Sequence, residues 1–134
     1  MNDMLLSPAD DAAIRNLLAH YCVLLDLDDV EGWVGLFTPD ATYLVYGRTF
    51  VGHDGLRKMM SGAPGGLHLG GPPAIDPIDA DHARTMQNLL FIERTTGEMR
   101  RSLYDDELVR TPDGWRIASR RCRFIVAAGL SDRP

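Results

Sequence analysis

The sequence predicts one domain of the α+β class, in which helices come first and a long antiparallel meander follows. Apolar residues recur at helical spacing near the start of the chain, whereas β-rich runs fill the second half. Two glycine-containing turns, TTGE and TPDGW, separate the last three of these runs, as expected for hairpins. A chain of 134 residues suits a single core, so we treat residues 1–134 as one domain with one site.

Composition and charge indicate a globular protein without a nucleic-acid or membrane partner. Hydrophobic residues make up 45% and charged residues 25% of the chain. The formal net charge of -5 argues against nucleic acid, because phosphate binding needs clustered positive charge. The sequence has neither a run of about 18 apolar residues nor a basic signal-like start. We therefore expect a cytoplasmic protein.

The two cysteines are predicted to be reduced core residues. Cys22 and Cys122 lie in apolar segments, without CxxC spacing and without a neighbouring cluster of ligand side chains. A zinc site would need such a cluster. We therefore expect no metal site.

The first helix is predicted from about Pro8 to Leu27. Ser7 supplies a hydroxyl N-cap, and Pro8 suits the first helical position. Apolar side chains then recur at spacings of three and four and mark the buried face. They are Ile14, Leu17, Leu18, Tyr21 and Leu25.

A second helix is predicted to follow, capped by Asp29. Its apolar side would carry Trp33, Leu36 and Phe37, and the sequence TPDA at 38–41 would end it. The runs TYLVYG and RTFVG suggest a hairpin, and HDGLRKMM suggests a short third helix ended by SGAPGG.

Strands are predicted for most of the remaining chain. LHLGG and PAIDPI suggest an irregular strand or strand pair, and three long strands follow, RTMQNLLFIER, EMRRSLYDDELVR and WRIASRRCRFIVA. The tail GLSDRP is expected to be loose. A curved sheet closed over by one long helix forms a cone with a single open mouth, and a pocket is expected there.

Of the four histidines, His68 is the best candidate for a catalytic residue. It alternates with Leu67 and Leu69 in a predicted strand, so it faces away from both leucines. An exposed histidine near a sheet edge is the alternative interpretation. The other three histidines are most simply surface residues: His20, His53 and His82.

A carboxylate partner would turn His68 into a base. Such a partner accepts from one imidazole nitrogen, fixes the tautomer and leaves the other nitrogen free. The first helix ends in the stretch HYCVLLDLDD, where Asp26 lies at the edge of the apolar stripe and Asp28 lies closer to its centre. Spacing alone does not choose between these two aspartates.

Four segments together resemble the SnoaL-like branch of the nuclear transport factor 2 (NTF2) superfamily, in particular its scytalone dehydratases and lindane dehydrochlorinase. They are AIRNLLAHYCVLLDLDDVEGWVGLFTPDATYLVYG, GHDGLRKMM, HLGGPPAI and YDDELVRTPDGWRIASRRCRF, and the resemblance covers about residues 8–126. It implies a cone-shaped NTF2-like barrel with a curved mixed or antiparallel sheet wrapped around N-terminal helices and one deep pocket.

The resemblance also implies which residues form the site. The family's catalytic Asp falls on Asp26, which Tyr21 precedes by five positions, and its catalytic His falls on His68. The pocket arginine falls on Arg120, although a slip of one residue would turn Arg121 inward instead. Four further side chains are expected to line the pocket and bind substrate: Trp33, Tyr43, Tyr46 and Asn88.

A small cofactor-independent lyase or isomerase is the function that follows from this resemblance. Asp26 would orient His68, which would remove a proton next to a carbonyl or a leaving group. Tyr21 would donate a hydrogen bond to the oxyanion, and Arg120 would stabilise a departing anion or an enolate. The substrate would be a small, largely apolar or aromatic molecule, and Asp28 receives no role.

A second function stays open at this point. The superfamily includes non-catalytic ligand-binding and assembly modules, such as the β subunits of ring-hydroxylating dioxygenases. Its members are commonly dimers or trimers, so we expect a homodimer or homotrimer. The predicted outer sheet face carries Leu103 and Val109 among charged side chains, which suits such an interface.

Overall fold

The computed structural model describes residues 6–134, which form helices packed against a curved, eight-stranded sheet. The helices are α1 (Pro8–Asp26), α2 (Val30–Val34) and α3 (Gly52–Ser61). The strands are β1 (Phe37–Val45), β2 (Arg48–Val51), β3 (Gly66–Gly70), β4 (Ala74–Asp79), β5 (His82–Glu93), β6 (Met99–Thr111), β7 (Gly114–Val126) and β8 (Gly129–Ser131). The predicted α+β class is confirmed.

The first two helices begin where the sequence predicts. The Ser7 hydroxyl accepts a hydrogen bond from the backbone N–H of Asp10 at 3.0 Å. The Asp29 carboxylate accepts one from the N–H of Gly32 at 2.9 Å. Each cap satisfies a backbone donor that the helix itself leaves without a partner.

The prediction that TPDA ends the second helix is wrong. α2 already ends at Val34, and residues 38–41 belong to β1. The pairing of β1 with β7 is irregular between Phe37 and Thr42. A bulge of this kind tolerates Pro39, which has no N–H to donate to a regular ladder.

The sheet is mixed, with strands in the order β2-β1-β7-β6-β5-β3, while β4 pairs with β5 and β8 pairs with β7. β1 runs parallel to β7, and the other pairs are antiparallel. The predicted hairpin between β1 and β2 is present, and Tyr46 and Gly47 at its turn have φ of 55° and 70°. The prediction of a loose tail is wrong for residues 129–131, which form β8 and pair with β7.

The core lies between the helices and the sheet. α1 presents the predicted apolar face to it, and both Cys22 and Cys122 are buried and free. His53 is half-buried rather than on the surface, because its Nε2 contacts the Phe37 carbonyl at 3.0 Å. Over residues 6–134, no helix is long and apolar enough to cross a membrane.

Candidate active site

A cavity of about 630 Å³ opens between the helices and the inner face of the sheet. A cavity of this size is typical of sites for small organic molecules. Aromatic and aliphatic side chains form most of its wall, and His68 on β3 is part of that wall. Within the described residues 6–134, no cluster of three or more His, Cys, Asp or Glu side chains could hold a metal ion.

The structure brings Asp26 and His68 together. His68 Nδ1 lies 2.8 Å from Asp26 Oδ1. The backbone N–H of His68 also donates to the same carboxylate, at 3.1 and 3.2 Å from its two oxygens. One carboxylate at the end of α1 therefore fixes both the strand and the ring of His68.

This contact determines the tautomer of His68. An ionised carboxylate can only accept hydrogen bonds, so Nδ1 carries the hydrogen and Nε2 keeps its lone pair. Burial lowers the pKa of His68 below its usual value, and the Asp26 carboxylate offsets only part of this effect. The ring is therefore neutral at pH 7, as a general base must be.

Helix termination explains why Asp26 and not Asp28 is the partner. α1 ends at Asp26, and Asp28 has a left-handed backbone with φ of 58°. The N–H of Asp28 donates to the Leu25 carbonyl at 3.0 Å, which closes the helix end. A helical projection therefore no longer applies to Asp28, whose exposed carboxylate lies 3.5 Å from Arg94.

Three buried tyrosines form another part of the cavity wall: Tyr21, Tyr43 and Tyr104. The hydroxyls of Tyr21 and Tyr43 are 2.8 Å apart, so one donates to the other and this contact uses one of their two hydroxyl hydrogens. Burial raises the pKa of all three phenols. They therefore remain hydrogen-bond donors at neutral pH. Tyr46 also lines the cavity, as predicted.

A bulge on β7 decides which arginine faces inward. The pairing of β6 with β7 skips Ala118, so the alternation of β7 changes phase there. Trp115 and Ile117 are buried before the bulge, whereas Arg120 is buried after it and Arg121 is exposed. Without the bulge, the same alternation would turn Arg121 inward.

Arg120 lies behind the cavity wall and does not line the cavity. It forms two hydrogen bonds of 2.7 and 2.6 Å to the buried carboxylate of Asp106. Its guanidinium lies 4.0 Å from the ring centroid of Tyr21 and 3.9 Å from that of Tyr104. Burial alone would lower the pKa of Arg120, but Asp106 outweighs it and raises that pKa well above its usual range.

This position corrects the predicted role of Arg120. Tyr21 and Tyr104 line the cavity, and Arg120 reaches it only through them, so it does not contact a departing anion directly. Its partner Asp106 is missed by sequence reasoning because it lies inside the charged run DDE. The signal that could reveal it is alternation with Tyr104 and Leu108, which are both buried.

Two predicted lining residues lie elsewhere. Asn88 is exposed on the outer face of β5, because the inner face of that strand carries Gln87 and Leu89. Trp33 is fully buried and packs edge-on against Tyr21, with 5.9 Å between the ring centroids. Trp33 therefore supports the wall from behind instead of contacting a ligand.

Comparisons with known proteins agree with this architecture. The family model described as a SnoaL-like domain matches residues 7–121. An uncharacterized protein of Mycobacterium tuberculosis is 31% identical over 125 residues, which covers 84% of this chain and 83% of that protein.

Two solved structures illustrate the shared fold. An NTF2-like protein with a cystatin-like fold from Novosphingobium aromaticivorans has a TM-score of 0.79 at 27% identity, covering 90% of this chain and 86% of that chain. A hexachlorocyclohexane dehydrochlorinase from Novosphingobium barchaimii has a TM-score of 0.77 at 18% identity, covering 88% of each chain. With the family match over residues 7–121, the chain belongs to the SnoaL-like domain family and has the predicted NTF2-like fold.

Proposed function

We propose that the chain is a lyase or isomerase that removes a proton from a carbon atom acidified by a neighbouring carbonyl. One observation carries this proposal: His68 is held through Nδ1 by Asp26 at 2.8 Å, while the ring lines the cavity. A neutral imidazole with a free Nε2 is the commonest general base in proteins. The mostly apolar wall favours a small apolar or aromatic body for the substrate.

The proposed elimination proceeds on a β-hydroxyketone. Nε2 of His68 takes the proton from the α carbon, and the electron pair of that C–H bond forms the new double bond. The C–O bond to the β hydroxyl breaks, and the proton held by His68 passes to the departing hydroxide, so that water leaves. An isomerisation would start from a β,γ-unsaturated ketone instead: His68 takes the α proton to give a dienolate and returns it to the γ carbon, so that the double bond moves into conjugation. Asp26 stabilises the imidazolium that forms between the two proton transfers.

The tyrosine pair is proposed to bind the carbonyl oxygen of the substrate. Negative charge collects on that oxygen when the α proton leaves, and fixed donors in a water-poor site stabilise it. Tyr21 and Tyr43 provide such a donor, since only one of their two hydroxyl hydrogens is used between them. Arg120 acts as a positioning residue, because its charge lies directly behind the Tyr21 ring.

The substitution Asp26→Asn is expected to lower the turnover of a β-hydroxyketone about tenfold to a hundredfold. Asparagine keeps the shape of the side chain but removes the negative charge that stabilises the imidazolium and fixes its tautomer. The measurement is the ultraviolet absorbance of the enone product over a panel of cyclic and aryl β-hydroxyketones.

Asp79→Asn is the matched control. Asp79 contacts His82 Nδ1 at the same distance of 2.8 Å, but this pair is exposed and away from the cavity. We expect unchanged turnover in this variant. Equal turnover in wild type and Asp26→Asn would contradict the proposal.

A stable complex with a larger subunit in native mass spectrometry would instead support an assembly role.

A further inference from the structure

The cavity wall that residues 6–134 form carries positive charge and no carboxylate. Four of its side chains are cations: Arg48, Lys58, Arg100 and Arg133. No Asp or Glu of residues 6–134 lines this cavity. The chain has 19 acidic and 14 basic residues, so a shortage of acids does not explain their absence from this wall.

These four cations differ from most other cations of the chain, which form ion pairs. Eight arginines form ion pairs with carboxylates in this structure, and none of the eight lines this cavity. They are Arg15, Arg57, Arg84, Arg94, Arg110, Arg120, Arg121 and Arg123. None of the four cavity cations has a carboxylate partner within residues 6–134.

Aromatic contacts bring one of these cations close to the proposed base. The guanidinium of Arg100 lies 5.8 Å from the ring centroid of Phe91. The rings of Phe91 and His68 are in turn 4.8 Å apart. Arg100 is thus one aromatic ring away from His68, on a side chain that is half-buried. Arg48 lies over Phe50 in a similar way, at 5.1 Å from the ring centroid.

We infer that the substrate carries an anionic group that binds to Arg100 within this cationic wall. Its apolar body would lie along Phe91, and its reacting carbon would meet His68. Cations without a carboxylate partner can attract and bind an anionic ligand. Ion-paired cations are already neutralised by their carboxylates. The inference rests on the proposed function and adds the substrate class: a small aromatic or alicyclic acid, as carboxylate or phosphate ester.

Binding of three naphthalene compounds tests this inference without turnover. The probes are 2-naphthoate, 2-naphthyl phosphate and the neutral 2-naphthamide, measured by isothermal titration calorimetry. We expect at least one of the two anions to bind about tenfold more tightly than the amide, which corresponds to about 1.4 kcal/mol. The stronger of the two identifies the anionic group. Raising the salt concentration from about 0.05 to 0.5 M should reduce this preference, since these charges are partly exposed.

Variants of two adjacent arginines identify the binding group. Arg100→Met should lose most of the preference for the anion, whereas Arg101→Met should keep it. Arg101 also has no ion pair to any carboxylate of residues 6–134, but it is exposed on the outer face of β6 and does not line the cavity. An equal loss in both variants, or equal binding of anion and amide to the wild type, would overturn the inference.

The His68→Ala variant separates this inference from the proposed function. The preference for the anion should persist in it, because His68 is neutral and the cations remain. Loss of the preference in His68→Ala would show that the anion binds His68, which overturns the inference. Unchanged turnover in both Asp26→Asn and His68→Ala would contradict the proposed function and leave the binding result intact.

Discussion

Replacing His68 with alanine is expected to lower the turnover of a β-hydroxyketone by about 10²- to 10⁴-fold, the usual contribution of a positioned general base. The variant retains the cavity and the tyrosine pair, so binding should change much less than kcat. The effect should exceed that of Asp26→Asn, since asparagine leaves the base itself in place. Steady-state kinetics of enone formation measure both variants.

The fold of the His68→Ala variant should be intact. The backbone N–H of residue 68 still donates to Asp26, so the anchoring of β3 to the end of α1 survives the loss of the ring. His82→Ala is the control, because His82 makes the same type of contact with Asp79 outside the cavity. Turnover within twofold of the wild type in His68→Ala would exclude His68 as the base.

The substitution Arg120→Met is expected to reduce the free energy of unfolding by about 3–5 kcal/mol. It leaves the Asp106 carboxylate buried without its partner, and both side chains of this pair are 0% exposed. A lone buried carboxyl has a raised pKa in the folded state, so folding favours its protonated form. The stability loss should therefore be larger at pH 8 than at pH 5. Urea unfolding at the two pH values measures it.

Two further variants make this prediction specific. Arg84→Met breaks an ion pair with Asp105 whose two hydrogen bonds are 2.9 and 2.7 Å long, but the Arg84 side chain is 52% exposed. It should cost less than about 1 kcal/mol. The double variant with Asp106→Leu and Arg120→Met should recover most of the lost stability, because no charge remains buried. A double variant as unstable as Arg120→Met would contradict this explanation.

Local signals in the sequence predict much of the fold and the centre of the site. Ser7 and Asp29 cap the helices that they were expected to cap, because capping depends on a few neighbouring residues. The alternation around His68 also holds: Leu67 and Leu69 are 44% and 50% exposed, while His68 lines the cavity. The contact with Asp26 joins residues far apart in the chain, so helical spacing does not predict it and only the family resemblance does.

Bulges limit what alternation can predict. The irregularity at Ala118 turns Arg120 inward, and a change of phase by one residue is invisible in a pattern of mixed charged and apolar residues. The bulge in β1 likewise hides a strand within TPDA. The predicted lining role of Asn88 is wrong for another reason: β5 has the polar Gln87 on its inner face, so residue polarity does not indicate which face lines the cavity.

The sequence does not predict the basic wall of the cavity, for a different reason. Arg48 is on β2, Lys58 on α3, Arg100 on β6, and Arg133 follows β8. Only the tertiary structure brings them to one cavity and shows that they lack carboxylate partners within residues 6–134.

Nitrogen NMR of the His68 ring tests the central claim most directly, because it needs no substrate. The neutral ring should carry its hydrogen on Nδ1, with a pKa below the usual value of about 6.5. The Asp26 carboxylate raises the pKa against the effect of burial, so Asp26→Asn should lower it further. Activity should accordingly be lost only as the pH falls through that lowered pKa. A hydrogen on Nε2, or a pKa at or above 6.5, would contradict a neutral base held ready by Asp26.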